Sequence, residues 1–326
     1  MSRTGLTRTI ADKIREAATQ AEKQAVLEYY SYEKLLKRII LYTYSPLINF
    51  NMQDWKPKSA GKLHGMGMSK FMHIPEDIFQ NKFTQEEAEF ACNVALQNMN
   101  EDEVDIFVTM LKKDKDYFDL TNKTINAVWP DLKLTYPISC PSKNISLIDK
   151  YTFPLVAQKM SRGLRVNIIV RCNSVEFRDK NGNVLHNFDI YVEQFGNLAQ
   201  NGSVVFDGHA VVVNDEMQIV ATDDDVVLAA KPENVRFILW DTIRYDGFVE
   251  GKDNRIGYNW RFNGVEHMMF LAIDKNPTPC YRACESGVFN TREELDKAIS
   301  SGDWIVKELS GTWHDGVTDW EVESRN

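Results

Sequence analysis

The 326-residue chain predicts an all-α domain followed by an α+β domain, and three observations carry that expectation. Apolar residues recur at helical spacing through residues 7–130. Prolines at 130, 137 and 141 then interrupt the pattern. From Tyr151 onward, short β-rich runs alternate with Gly-containing turns. The break gives domains of 1–135 and 136–326, each long enough to bury its own core.

In the first domain Ile10, Ile14, Ala18 and Ala21 follow helical spacing, and Leu35, Leu36, Ile39 and Ile40 repeat it. Thr84-Gln-Glu-Glu opens a helix to Asn98 with a capping signal, and Asp102 to Lys113 carries Ile106, Phe107, Met110 and Leu111 on one side. In the second domain the runs Val166–Cys172, Ser174–Phe177, Ser203–Phe206, Ala210–Val213, Val235–Trp240 and Trp304–Val306 predict an antiparallel sheet. Lys180-Asn-Gly-Asn183 signals a hairpin. Thr291 and Glu294 form a capping box for a helix to Ile299. In purely structural terms, Gly163 and Asp207-Gly208 serve turns, Trp240 fills a core and Lys307 is one charge on a strand.

Hydrophobic content of 43% and charged content of 26% fit a soluble globular protein, and no apolar run reaches the roughly 18 residues a membrane span needs. The polar start Met1-Ser-Arg-Thr-Gly-Leu-Thr-Arg lacks a signal-peptide core. The five cysteines (92, 140, 172, 280 and 284) are scattered, with no second pair at ligand spacing, so no zinc site is expected and a reduced, cytoplasmic setting fits. His186, His209 and His267 match no metal-ligand spacing, and Asp223-Asp-Asp225 reads as a solvated turn. The net charge of −9 opposes nucleic-acid binding overall. It is uneven, however: residues 1–130 hold 17 basic and 18 acidic side chains, which leaves most of the excess acid to the second domain. A DNA-contacting face therefore belongs to residues 1–130, where Lys34, Lys37 and Arg38 follow Tyr29, Tyr30 and Tyr32.

The stretch Phe153-Pro-Leu-Val-Ala-Gln-Lys-Met-Ser-Arg-Gly-Leu-Arg165 bears most directly on chemistry. It resembles the Lys-x-Asp-Gly-x-Arg nucleophile motif of ATP-dependent DNA ligases, and nearly the whole chain is similar to the T-even-phage type of that family. Glu22–Glu28, Leu35–Arg38, Leu41–Ser45 and Asn126–Pro130 resemble the family's helical DNA-binding domain. Asp179-Lys-Asn-Gly182, Val205-Phe-Asp-Gly-His209, Phe237-Ile-Leu-Trp-Asp241 and Asp303-Trp-Ile-Val-Lys307 resemble further motifs of its nucleotidyltransferase domain. The resemblance implies a nucleotide pocket built with Arg165, Lys180, His209, Trp240 and Lys307, and ATP and magnesium as cofactors of any active member.

The departures from the family pattern form a set. In the register fixed by Gly163 and Arg165, the nucleophile position holds Met160 and the adjacent acid position Arg162; Lys159 lies one residue early. His209 and Gly302 stand where metal-site glutamates belong. Trp320-Glu-Val-Glu323 puts two carboxylates where two lysines would meet a triphosphate, which repels ATP. The chain also stops at Asn326, where the family's OB-fold domain would begin. Strand parity sends Lys159 and Met160 to opposite faces. The expectation is a phage-type ligase homologue without adenylyl transfer, with no cofactor, that binds DNA through residues 1–130 or a protein through the acidic second domain, and contacts no membrane. Two alternatives stand beside it: an active ATP- and magnesium-dependent ligase using Lys159, and a structural or inhibitory phage protein.

Overall fold

A computed structural model describes residues 3–80, 82–171, 174–198, 202–272 and 279–324, in two compact units, Met1–Tyr136 and Pro137–Asn326. Cys172 lies outside the described residues.

The first unit is helical: α1 (Arg3–Glu16), α2 (Gln20–Tyr29), α3 (Lys34–Tyr44), α4 (His73–Phe79), α5 (Gln85–Asn98), α6 (Glu101–Lys112) and α7 (Asn122–Val128). The periodic stripe from Ile10 to Ala21 is not one helix. Thr19 stops it, because its side chain accepts from the Glu22 amide while Glu22 answers the Thr19 amide, which starts α2 afresh. Thr84 and Glu87 form the same box at α5. The apolar stripes meet in a core that includes Ile10, Ile14, Leu36, Ile39, Ile40, Phe107 and Met110.

The second unit carries β1 (Ser139–Ser142), β2 (Leu155–Lys159), β3 (Leu164–Arg171), β4 (Ser174–Asp179), α8 (Val192–Gly196), β5 (Val204–Val213), β6 (Ile219–Ala221), α9 (Asp224–Ala229), β7 (Val235–Arg244), α10 (Tyr245–Glu250), β8 (Lys252–Gly257), α11 (Tyr258–Ala272), β9 (Tyr281–Ala283), β10 (Ser286–Phe289), α12 (Arg292–Ile299), β11 (Trp304–Glu308), β12 (Thr312–His314) and β13 (Gly316–Ser324). Among the described residues, one sheet runs β1-β13-β11-β2-β10. A second runs β4-β3-β5-β7-β9 with β6 beside β5, and β12 pairs β8.

The sheets are not wholly antiparallel. β1 pairs β13 and β7 pairs β9 in parallel, because each pair is joined by a connection long enough to cross over. The expected hairpin at Lys180-Asn-Gly-Asn183 is a tight turn followed by a single bridge, Arg178 to Val184, not by a second strand. No helix among the described residues is long and apolar enough to cross a membrane.

The largest departure from the sequence reading is at Asp207-Gly208. This pair is not a turn; it lies inside one continuous strand, β5. Beside β7 the register slips: Asp207 faces Asp241 while Gly208 faces Leu239, leaving Trp240 as the extra residue of a β-bulge. A Cβ on Gly208 would lie 2.5 Å from the Ile238 carbonyl oxygen, so only glycine allows this approach. Gly163, at φ +151°, would likewise place a Cβ 2.5 Å from the Ala210 carbonyl oxygen.

Gly208→Ala is therefore expected to cost about 1–3 kcal/mol of stability. Gly202→Ala, with nothing within 4 Å of its added methyl, should change little. Urea unfolding of both variants checks this, and equal losses would contradict the role given to Gly208.

Candidate functional site

The bulge decides which side chains reach the space between the two large sheets. Successive strand residues normally point to opposite faces, yet Trp240 and Asp241 both line one cavity of about 540 Å³. β2, β11 and β13 supply Gln158, Ile305, Lys307, Glu321 and Glu323 from one side. β3, β5 and β7 supply Arg165, Asp207, His209, Trp240 and Asp241 from the other.

Register explains the first wall. Lys307 faces Val156 on β2 and Glu321 on β13, while Ile305 faces Gln158 and Glu323, so these side chains share a face. Lys159 faces Trp304 in the alternate row, yet it too is among the residues that line the cavity. Its side chain is more than half exposed and lies 3.4 Å from Glu285. Met160, two residues beyond Gln158, returns to the cavity lining, its amide held by the Asp303 carbonyl at 2.9 Å. The exposed Arg162 reaches Asp303 at 3.6 Å.

Lys307 is not a lone strand charge. It is 2% exposed, 3.3 Å from Glu321, and its Nζ sits 4.4 Å from the Tyr258 ring centre with Trp320 beyond. Glu321 in turn accepts from Ser139 Oγ at 2.9 Å and Thr318 Oγ1 at 3.1 Å. On the other wall Arg165 grips Asp207 through two bonds, 3.1 and 2.6 Å, and donates to the Ser139 carbonyl. Asn167 adds a third bond to Asp207. Behind the bulge Asp241 pairs with Arg261 at 2.9 Å, and Arg261 also binds the carbonyls of Ile256 and Gly311. Burial pushes the Asp241 carboxyl upward against the pull of Arg261 and Lys307.

Trp240 packs, partly buried, against the core cluster of Val211, Val213, Ile238 and Cys284. It lines the cavity, with His209 edge-on at 4.7 Å and the Arg165 guanidinium over its ring at 5.6 Å. Burial, reinforced by the Arg165 charge, lowers the His209 imidazole to about 4, and its Nδ1 has no hydrogen-bond partner. His209 is therefore neutral near pH 7 and a poor stand-in for a metal-binding carboxylate. Cys284 also lines the cavity; its Sγ donates to the Lys159 carbonyl, and burial raises the thiol to about 11. Gln158 is 2% exposed, and its Nε2 has no partner.

Of the residues assigned to a nucleotide pocket, Arg165, His209, Trp240 and Lys307 meet in this cavity. Lys180 does not line it, because it sits on the turn after the edge strand β4, 3.9 Å from Asp224. Asp223 caps α9 through the amides of Asp225 and Val226. His186 is exposed beside Asp189, and His267 is exposed on α11. In the first unit Lys34 is exposed. Lys37 pairs with Asp131 at 2.7 Å, and Arg38 pairs with Glu76 and donates to the Met72 carbonyl. Among the described residues no group of three or more His, Cys, Asp or Glu side chains is arranged to hold a metal. Sequence reasoning missed Gln158 as a lining residue, Asp241 and its partner Arg261, and Ser139. Only the bulge and the pairing across β13 bring them in, and neither leaves a signal in the sequence.

The class defined by this geometry is a helical unit followed by a two-sheet α+β unit with a cavity between its sheets. No protein-family model matches the chain, and no curated protein matches it. Solved structures that it resembles, at low identity, include DNA ligases. One named Pmar-Lig_PreS3 is 17% identical over 98% of this chain and 78% of that one, with a TM-score of 0.49. The ATP-dependent DNA ligase of bacteriophage T7 in complex with ATP is 13% identical over 58% and 68%, with a TM-score of 0.48. The Chlorella virus DNA ligase-adenylate is 12% identical over 58% and 67%, at 0.40.

Breaking the Lys307–Glu321 pair from one side strands a buried charge. Lys307→Met or Glu321→Leu alone is expected to cost about 3–5 kcal/mol, and the double variant clearly less than their sum. Urea unfolding of the three variants measures the coupling, and simple additivity would deny that the two groups interact.

His209 makes a second prediction. Below pH 6.5 the unfolded imidazole binds a proton that the folded one refuses until about pH 4, so stability must fall as pH drops through that window. The full contribution, present above it, is on the order of 3 kcal/mol. Comparing unfolding at pH 7.5 and 4.5 with that of His209→Leu isolates it; an identical pH profile in the variant would refute it.

Proposed function

We propose that this chain is a phage-type DNA ligase homologue without adenylyl-transfer chemistry, which acts by binding duplex or nicked DNA through its first unit. One observation carries the reading. Five of the six segments that resemble ligase motifs, 153–165, 205–209, 237–241, 303–307 and 320–323, contribute to one cavity, the sixth, 179–182, lies outside it, and the nucleophile position in the lining holds Met160 beside Lys159.

Adenylyl transfer needs an unprotonated lysine amine at the α-phosphate, with cations to take up the developing charge. Lys159 also lines the cavity, but it sits in the strand row alternate to that of Lys307, more than half exposed and with its ammonium beside Glu285. Lys307 and Arg165 are each neutralised by a buried carboxylate. Glu321 and Glu323 line the wall that would meet a triphosphate. The residues present therefore do not fit ATP with magnesium, and no step is assigned to either.

The first unit supports DNA contact through an exposed strip of Tyr29, Tyr32 and Lys34. Lys37 and Arg38, expected to join it, are already held by Asp131 and Glu76. The acidic second unit is the surface proposed for a protein partner.

Incubation with radiolabelled ATP and magnesium followed by denaturing electrophoresis should leave the protein unlabelled. A label lost in Lys159→Ala would overturn the proposal in favour of a working ligase. In a mobility-shift assay nicked duplex should bind with affinity that falls as salt rises. Lys34→Ala should lower the slope of log K against log salt by about one. Absence of any shift would move the proposal to the protein-partner reading.

A further inference from the structure

Away from the cavity, one face of α11 stands open to solvent. The helix is set into the second unit by Tyr258, Arg261, Phe262 and Val265, all buried. Its opposite side carries Trp260, Asn263, His267 and Phe270. All four are exposed, the two aromatic residues at 71% and 72%. They recur at intervals of three, four and three residues, which is the spacing of a seam between two packed helices, over about 15 Å of helix.

The order of these residues selects what fits them. About a two-fold axis level with Val265, Trp260 falls opposite Phe270 of a second, antiparallel copy and Asn263 falls opposite His267, since both pairs are centred on residue 265. Ring then meets ring, and each carboxamide meets an imidazole able to share a hydrogen bond with it. A parallel pair would instead set Asn263 on Asn263 and His267 on His267. With about seven-tenths of each aromatic residue exposed, the four rings of an antiparallel pair cover roughly 400–700 Å². The Asn–His pairs and the helix flanks bring the contact to about 1,000 Å², the lower limit for a specific interface. The four seam positions hold no Asp, Glu, Lys or Arg, and Glu266 stays exposed at the rim.

We propose that α11 is a self-association surface: two copies of the chain pair through Trp260, Asn263, His267 and Phe270 in antiparallel register, as a weak, concentration-dependent dimer. Both copies contribute the same patch, so the assembly closes at two. The inference is independent of whether the first unit binds DNA.

Sedimentation equilibrium of the full chain, from about 1 µM to about 200 µM, tests it. A monomer–dimer equilibrium with a Kd on the order of 10 µM is expected. It should tighten as salt screens the net charge of −9 that each copy carries. Trp260→Ala and Phe270→Ala should each weaken it about tenfold. Val317→Ser, which removes an equally exposed apolar side chain on β13, should leave it unchanged. Cross-linking reads the register: Asn263→Cys mixed with His267→Cys should give a disulfide-linked dimer under mild oxidation faster than either variant alone. All these side chains face solvent, so the variants should fold, and circular dichroism confirms it. A chain that stays monomeric at the highest concentration, or a dimer weakened as much by Val317→Ser as by Trp260→Ala, overturns the inference. So does Asn263→Cys that links to itself as fast as the mixture does.

Discussion

The register slip between β5 and β7 is the constraint on which the second unit's site depends. It places Trp240 and Asp241 on the same side of a strand that would otherwise separate them. Asp241 then fixes Arg261 on α11, and Arg261 donates to the carbonyls of Ile256, just before α11, and of Gly311, between β11 and β12. With α11 so held, Tyr258 stacks beside Trp320 and over the ammonium of Lys307. Gly208 is the residue that lets this sequence of contacts begin, since a side chain there would collide with the Ile238 carbonyl. One glycine and one extra residue thus decide how β7 meets a cavity whose other strands are β2, β11 and β13 on one side and β3 and β5 on its own.

The electrostatics follow from that geometry. A lysine used as a nucleophile, or as a clamp on a transferring phosphoryl group, needs its charge or its lone pair directed at the ligand. Lys307 instead spends its charge on Glu321, which Ser139 and Thr318 hold in place, and on the faces of two aromatic rings. Arg165 is spent on Asp207, which Asn167 also holds. Each pair crosses between neighbouring strands of one wall: Lys307 to Glu321 links β11 to β13, and Arg165 to Asp207 links β3 to β5. Met160 and Lys159 both line the cavity, and the exposed Lys159 ammonium lies 3.4 Å from Glu285.

How much of this was legible in the sequence depended on whether the signal was local. Thr84 with Glu87 and Thr291 with Glu294 announced helix starts, because a capping box is complete within four residues. The shift from helical to strand periodicity near Tyr151 was also local. By contrast, Ser203–Phe206 and Ala210–Val213 read as two runs because Asp207-Gly208 has turn composition, and only pairing with β3 and β7 on both sides keeps the strand whole. The stripe through Ile10 and Ala21 failed for the opposite reason: a local cap at Thr19 overrode a periodicity that spanned it. The gathering of Arg165, His209, Trp240 and Lys307 was readable in advance, whereas strand parity, which sent Lys159 and Met160 to opposite faces, kept neither out of the lining. The partners that silence the cations were not readable, because Asp207 and Glu321 reach them through register across strands distant in sequence.

That difference bears on what the charged cavity contributes. Buried ion pairs of this kind give little net stability over well-packed apolar side chains, since the cost of removing both groups from water nearly offsets their attraction. Three such pairs around one cavity are therefore a weak device for holding a fold that already has apolar cores on both sheets. They are better matched to setting the polarity of the space they enclose. Each fixes a dipole in the wall without leaving a net charge, which favours ligands that are polar but neutral and penalises any ion that would have to replace a partner.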